Sequence, residues 1–402
     1  MEKTSKKTIN QVLPVGQKVQ IAKDGYVKLP VSLDTDQEVL FVPTDSGYRL
    51  ITLIQDVKRV YIEVTTKCNF ACITCIRSSW QDELTHMEWS TFEKILNSLK
   101  ELPDLESVHF GGFGEPLLHP RIFDMLKAVK ELGLNVEMIT NGSFLREEVI
   151  QKLIGLQVDV LFTSLDSPEE EEYNEIRQGA NFQSVYSNIV NLQAMKRERR
   201  TKKPELGIEF VAMKKNFDRL PKLIRMAWDL KASQVIVTNL LPYHESMKDE
   251  IVYDTDDTGA MFGCHSYESL LISLKANMSN MKLRTERYCK FVQDKSLCIN
   301  HKGNVSPCYP LMHTYQCYVY GRQKQMYPCY LGNVNEKTLR EIWMDSGYVN
   351  FRQTVNDYRF PSCTDCRMLD GCNYTDSNEM DCWANSPSCA ECLWARRIIA
   401  CP

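Results

Sequence analysis

Sixteen cysteines are spread unevenly along the 402 residues, and thirteen of them lie beyond residue 260. From residue 286 onward, cysteine, proline and glycine dominate and hydrophobic periodicity fades. Such a stretch buries little conventional core, so bound metal is expected to organise it. Disulfides are the alternative, but they belong to small secreted domains. Here 43 % of the chain is hydrophobic, enough for a sizeable core. The amino terminus, MEKTSKKTINQVLPVG, has lysines and no apolar segment of the signal-peptide kind. Clustered cysteines in a reducing compartment more often bind metal, and the expectation is a cytoplasmic metalloprotein. No apolar run approaches ~18 residues, so no membrane-spanning helix is expected. A net charge of −4 gives no reason to expect nucleic-acid or anionic-membrane partners.

The rest of the chain is patterned. Residues 1–55 read as short strands, KVQIAKD, YVKLPVS, EVLFVPT and YRLITLI, separated by turn residues such as Asp24-Gly25 and Asp45-Ser46-Gly47. From 56 to 245, strand and helix alternate. The strands are expected at 59–65, 107–110, 135–140, 158–164, 206–212 and 234–240. Amphipathic segments such as STFEKILNSLKEL and RIFDMLKAVKELG fall between them, the latter closed by Gly133 at a C-cap position. Alternation of this kind implies an α/β fold with parallel strands. Six units suit an open (β/α)6 partial TIM barrel, with a small N-terminal β domain before it and a Cys-rich extension after it. Residues 246–285 read as a helical bridge, and 286–402 as the extension.

Reactive groups in such folds gather at the C-terminal ends of the strands, and the motifs fall there. After the first strand comes CNFACITC, with Cys68, Cys72 and Cys75. Three thiolates on one loop can hold three irons of a [4Fe–4S] cluster and leave the fourth open, whereas a full set has four. After the second strand comes HFGGFGEPLLHP, where glycines permit close approach to a ligand and Glu115 offers a carboxylate to an ammonium group. Asn141 follows the third strand. Ser164 and Asp166 follow the fourth and suit ribose hydroxyls or a ligand amine, and Arg177 suits a carboxylate. Taken singly, each could be only a turn or a helix cap.

In this order, behind CxxxCxxC, these residues resemble the radical S-adenosylmethionine (radical SAM) superfamily over roughly residues 58–245. The resemblance implies that S-adenosylmethionine chelates the open iron through its amine and carboxylate. One electron from a ferredoxin or flavodoxin donor, passed through the cluster, then cleaves the sulfonium. The resulting 5′-deoxyadenosyl radical takes a hydrogen atom from the substrate. Gly112 and Gly114 are the glycines expected to meet the ligand amine, in a motif stretched to Gly111-Gly112-Phe113-Gly114-Glu115.

Cys289 and Cys308 frame a CX13GX4C pattern around Gly303, and Cys363, Cys366 and Cys372 follow as CX2CX5C. This pair resembles the SPASM extension of radical SAM enzymes and implies two auxiliary iron–sulfur clusters. The family pattern has a cysteine where this chain has Asp376. By resemblance, one cluster takes Cys289, Cys308 and Cys382, with Cys298 as fourth ligand. The other takes Cys363, Cys366, Cys372 and one of Cys389, Cys392 and Cys401. Structural zinc is the alternative, since PSCTDC and PSCAEC have zinc-knuckle spacing.

Two further resemblances bear on function. The N-terminal segment is similar to the swapped-hairpin barrel of AbrB-like proteins, which suggests a cap or a docking module. That segment, HFGGFGEPLLHP and the tail CWANSPSCAECLWARRIIACP together resemble the radical SAM maturases associated with tungsten-cofactor oxidoreductases of the aldehyde ferredoxin oxidoreductase type. This implies a protein or peptide substrate, or a pterin cofactor. The other readings are a ribosomal-peptide maturase forming thioether or carbon–carbon crosslinks, and a non-catalytic iron–sulfur carrier or scaffold.

Overall fold

The computed structural model describes residues 56–80, 82–253 and 287–401 in full, with the backbone of strands at 20–21, 27–28, 39–44, 47–52 and 275–278. The chain forms two units, residues 1–54 and 55–402. In the first, β1 (Gln20–Ile21) pairs antiparallel with β2 (Val27–Lys28), and β3 (Val39–Thr44) with β4 (Gly47–Thr52). The turns Asp24-Gly25 and Asp45-Ser46 lie outside the described residues.

The second unit carries the six expected strands: β5 (Arg59–Glu63), β6 (Ser107–Gly111), β7 (Asn135–Thr140), β8 (Val160–Ser164), β9 (Glu205–Ala212) and β10 (Gln234–Asn239). They lie side by side in sequence order, every pair parallel. Between them run α1 (Trp89–Leu99), α2 (Ile122–Glu131), α3 (Glu147–Gly155), α4 (Glu170–Ile176), α5 (Phe182–Glu198) and α6 (Leu220–Asp229). Both faces of a parallel sheet are covered, so its strands are apolar throughout. Val60, Ile62, Val108, Phe110, Val136 and Met138 are fully buried. On the alternate face Tyr61 meets His109 across the register, with ring centroids 5.2 Å apart.

The sheet continues past both ends of this six-strand array. An uncovered edge strand presents unpaired N–H and C=O groups. On one side, β11 (Lys275–Met278) pairs parallel with β10, from Gln234↔Lys275 to Val237↔Met278. The sequence reading placed these residues in a helical bridge; the pairing demand of the β10 edge overrides local periodicity. On the other side, β12 (Ser296–Ile299) pairs parallel with β5. β13 (Asn304–Ser306) pairs antiparallel with β12. After the hairpin of β14 (Tyr315–Val319) and β15 (Arg322–Met326), β16 (Gly332–Asn333) adds to β13. The Cys-rich extension is therefore built onto the first strand of the barrel. Between residues 363 and 375 it contains only 3-10 turns, as the fading periodicity predicts. No described helix is long and apolar enough to cross a membrane.

Candidate active site and cysteine groups

The loop after β5 carries Cys68, Cys72 and Cys75, and the end of α4 holds it in place. Ala71 N–H donates to Gln178 O at 2.8 Å and Ile73 N–H to Ile176 O at 3.0 Å. Cys75 starts the 3-10 turn Ile76–Ser78. All three cysteines are half-buried as residues. Two N–H donors approach their sulfurs: Asn141 Nδ2 lies 3.7 Å from Cys68 Sγ, and Arg177 Nη1 lies 4.0 Å from Cys72 Sγ. Burial pushes the Cys72 thiol up to about 11, and Arg177 opposes that shift. A thiol in such surroundings ionises readily once a metal cation binds its sulfur. Three soft ligands on one loop, with N–H donors at the sulfurs, fit an iron–sulfur cluster.

The glycine-rich loop after β6 packs against this segment. Gly112 has φ +101°, and a Cβ there would sit 2.6 Å from Glu63 Cγ. At Gly114 a Cβ would lie 2.1 Å from Thr65 O. Neither position accommodates a side chain. The Glu115 carboxylate accepts from Thr140 Oγ1 at 2.8 Å, Asn141 N–H at 2.7 Å and Leu117 N–H at 3.1 Å. Burial pushes it up to about 7 against those donors. Glu115 thus ties the ends of β6 and β7 together, a role absent from the sequence reading, which gave it to a ligand ammonium.

Ser164 ends β8, and its hydroxyl donates to Glu209 Oε2 at 3.4 Å. Asp166 is fully buried. Its Oδ1 accepts from Val211 N–H at 2.9 Å, and its Oδ2 faces Arg177 Nε at 2.9 Å. The pair therefore positions the guanidinium beside Cys72. Removing one partner of a buried ion pair strands the other. Asp166→Asn is expected to cost about 3–5 kcal/mol, read as a lower urea midpoint; a midpoint equal to wild type would show that the pair adds no stability.

A further buried carboxylate at the barrel mouth escaped the sequence reading. Glu63, fully buried at the end of β5, accepts from Phe113 N–H at 3.1 Å. Its Oε2 lies 2.9 Å from His313 Nε2 and 3.5 Å from His301 Nδ1. His313 Nδ1 in turn lies 2.5 Å from Asp82 Oδ2. Burial works against ionised Glu63, yet the two imidazoles and Phe113 N–H bring it down to about 2. His313 is likewise desolvated, but Glu63 and Asp82 bring it up to about 9. The network joins the barrel to the extension. Its one sequence signal was an ionisable residue closing the apolar strand just before the cysteine loop.

Most of the extension's described thiols fall into two groups, while Cys317 packs in a separate apolar cluster with Tyr315 and Ile398. Cys298 is buried with Tyr61 and Tyr309, and Cys289, Cys308, Trp394 and Cys401 pack against them. Trp394 Nε1 donates to Cys401 Sγ at 3.1 Å, and Tyr288 N–H to Ala395 O at 2.7 Å, which brings the tail to Cys289. Burial holds the Cys308 thiol far up, with Cys289, Cys392, Cys389 and Cys298 adding to the shift. In the second group, burial pushes Cys363 up to about 12, and nearby Glu391, Cys382 and Cys372 add to it. Cys366 N–H donates to Cys363 O at 3.0 Å. Cys382 therefore neighbours Cys363, whereas the sequence reading allotted it to Cys289 and Cys308. Cys392 and Cys389 neighbour Cys308 instead. Cys264 lies outside the described residues. Among the described residues, no three His, Cys, Asp or Glu side chains converge as ligands of a single ion.

Comparison with known proteins bears on the family and the fold. A radical SAM superfamily model matches residues 62–219, and a SPASM iron-sulfur cluster-binding domain model matches residues 289–367. The chain is 37 % identical, over 346 residues, to the tungsten-containing aldehyde ferredoxin oxidoreductase cofactor-modifying protein of Pyrococcus furiosus, covering 86 % of this chain and 97 % of that one. In fold it is similar to Streptococcus suis SuiB bound to precursor peptide SuiA, with TM-score 0.60 and 17 % identity over 85 % of this chain and 77 % of that one. It is also similar to anSMEcpe with bound AdoMet and Cp18Cys peptide, with TM-score 0.57 and 15 % identity over 86 % and 96 % of the two chains. With its cysteine loop, glycine-rich loop and Cys-rich extension, this chain belongs to the radical SAM superfamily as a SPASM-type enzyme that uses a [4Fe–4S] cluster, S-adenosylmethionine and further iron–sulfur binding.

Proposed function

We propose that this enzyme abstracts a hydrogen atom during maturation of a tungsten-cofactor oxidoreductase, acting on the oxidoreductase, its pterin cofactor or an associated peptide. The observation that carries this reading is the 37 % identity to the Pyrococcus furiosus cofactor-modifying protein along nearly its whole length. A ribosomal-peptide maturase is the second reading, favoured by the shared fold of peptide-bound SuiB. The test is release of 5′-deoxyadenosine by the reduced protein with either partner added. The first reading expects stimulation by an immature tungsten oxidoreductase or its pterin, and stimulation by a precursor peptide alone would favour the second.

Cys68, Cys72 and Cys75 would hold the [4Fe–4S] cluster, which when bound would supply the electron for sulfonium cleavage, delivered by a ferredoxin or flavodoxin. Gly112 and Gly114 let the loop backbone approach S-adenosylmethionine, and Ser164 and Asn141 offer it polar contacts at the ends of β8 and β7. Asp166 holds Arg177 at the Cys72 sulfur. Burial keeps the Glu209 carboxyl up at about 7, against the pull of Arg177.

Two auxiliary clusters complete the proposal. One takes Cys363, Cys366, Cys372 and Cys382, and the other takes Cys289, Cys308, Cys389 and Cys392. Cys298 and Cys401 remain as adjacent thiols in the apolar layer around Tyr61. Cys382→Ala and Cys363→Ala are expected to lose the same paramagnetic signal and about four irons each. If Cys382→Ala instead lost the signal that Cys289→Ala loses, the partition would revert to the family pattern.

A further inference from the structure

Four polar residues from separate parts of the chain meet beside the glycine-rich loop, and the known chemistry assigns none of them. Glu63 adjoins Gly112. Asp82 comes from the segment after the cysteine loop, His301 follows β12, and His313 precedes β14. His313 has a carboxylate at each ring nitrogen, Glu63 at 2.9 Å and Asp82 at 2.5 Å. Both nitrogens therefore carry protons, and neither is free for a ligand. His301 differs. Its Nδ1 faces Glu63 Oε2 at 3.5 Å, and its Nε2 is buried with no hydrogen-bond partner.

A neutral imidazole has one donor and one acceptor nitrogen. Glu63 already accepts from Phe113 N–H and His313, and an ionised carboxylate offers only acceptors. It therefore fixes the His301 proton on Nδ1 and leaves a lone pair on Nε2. An acceptor buried without a partner costs stability, and each such group calls for a partner such as a water, an ion or a ligand. Flat rings pack around the neighbouring imidazole. Trp80 and Phe113 pack on the His313 ring at 4.4 and 5.7 Å between centroids, and His301 stacks parallel to His313 at 6.3 Å. His301 follows a strand parallel to β5, so it stands at the same C-terminal face as the cysteine loop.

We propose that His301 is a substrate-binding residue whose Nε2 accepts a hydrogen bond from a planar N–H group of the substrate at the barrel mouth. Glu63 sets the tautomer, and His313 and Asp82 hold Glu63 in place. The planar N–H is either an amide of a peptide or a ring nitrogen of a pterin. The inference rests on the maturase reading above and narrows its substrate to groups of this kind.

Titration calorimetry reads the contact directly. A pterin and a short N-acetylated peptide amide are each titrated into the cluster-loaded protein in the presence of S-adenosylmethionine. One of the two is expected to bind, and the one that does so identifies the source of the N–H. His301→Gln, whose amide oxygen can take the place of Nε2, is expected to bind that probe within about threefold of wild type, and His301→Leu about tenfold more weakly. Binding of neither probe, or equal affinity of the Leu and wild-type proteins, would overturn the proposal. 5′-Deoxyadenosine release by the same preparation keeps the two failures apart: release without binding sinks only this inference, and no release sinks the enzyme reading with it.

Discussion

Cys72→Ala is expected to abolish 5′-deoxyadenosine formation while leaving the iron of the extension in place. Cys72 is one of only three thiols on the loop after β5, and nothing described nearby can replace it. Asn141 and Arg177 reach the sulfurs as donors, not as ligands. A site already one ligand short of the usual four cannot lose another and keep its cluster. Iron content should fall by about four per chain, the signal of the S-adenosylmethionine-binding cluster should vanish, and the auxiliary signals should persist. The loop itself should survive, because its backbone is held by α4 through Ala71 and Ile73 and not by the thiols. Retention of S-adenosylmethionine cleavage in this variant would mean that the open cluster sits elsewhere.

Glu63→Gln is expected to be the most damaging polar substitution outside the cysteines. It removes the carboxylate between two imidazoles and leaves His313 buried with its charge answered by Asp82 alone. Breaking a buried pair in this way costs about 3–5 kcal/mol. The cost should depend on pH in a defined sense. Glu63 is held down at about 2, so its contribution is complete above its ordinary value of 4.5 and fades as pH falls toward 2. His313 is held up at about 9, so its contribution is complete below its ordinary 6.5 and fades as pH rises through 9. The stability gap between wild type and Glu63→Gln is therefore widest between about pH 4.5 and 6.5 and narrows toward pH 9. Urea midpoints across this range measure it. A gap that stays constant, or widens toward pH 9, would contradict the ion-pair account.

The barrel was legible because its strands are buried on both faces. RVYIE, SVHF and NVEMIT read as short apolar runs, and amphipathic helices separate them. Their parallel pairing followed from that alternation. Lys275–Met278 was not legible, because whether a four-residue segment pairs depends on an exposed edge that another part of the chain creates. The same holds for Ser296–Ile299, where SLCI sat among cysteines and looked like part of a ligand pattern.

At the site, residue types were legible before residue roles. Glu115 stood where a carboxylate was expected, but its direction depends on the register that brings Thr140 and Asn141 N–H to it. Asp166 and Arg177 were read as separate ligand contacts, yet they face each other at 2.9 Å. The Glu63 network was hidden by distance, since His301 and His313 lie 238 and 250 residues further along the chain. The SPASM resemblance implied two groups of thiols in the extension. Spacing could not say on which side Cys382 falls, because that depends on how the tail folds back past Cys363 and Cys289.

The most direct test of the account follows one hydrogen atom. The reduced, cluster-loaded enzyme would be supplied with S-adenosylmethionine and an immature tungsten oxidoreductase produced in fully deuterated form with its pterin, and the released 5′-deoxyadenosine weighed by mass spectrometry. The account predicts 5′-deoxyadenosine carrying one deuterium, formed faster than without the oxidoreductase. Undeuterated 5′-deoxyadenosine, released at a rate the oxidoreductase does not change, would contradict it.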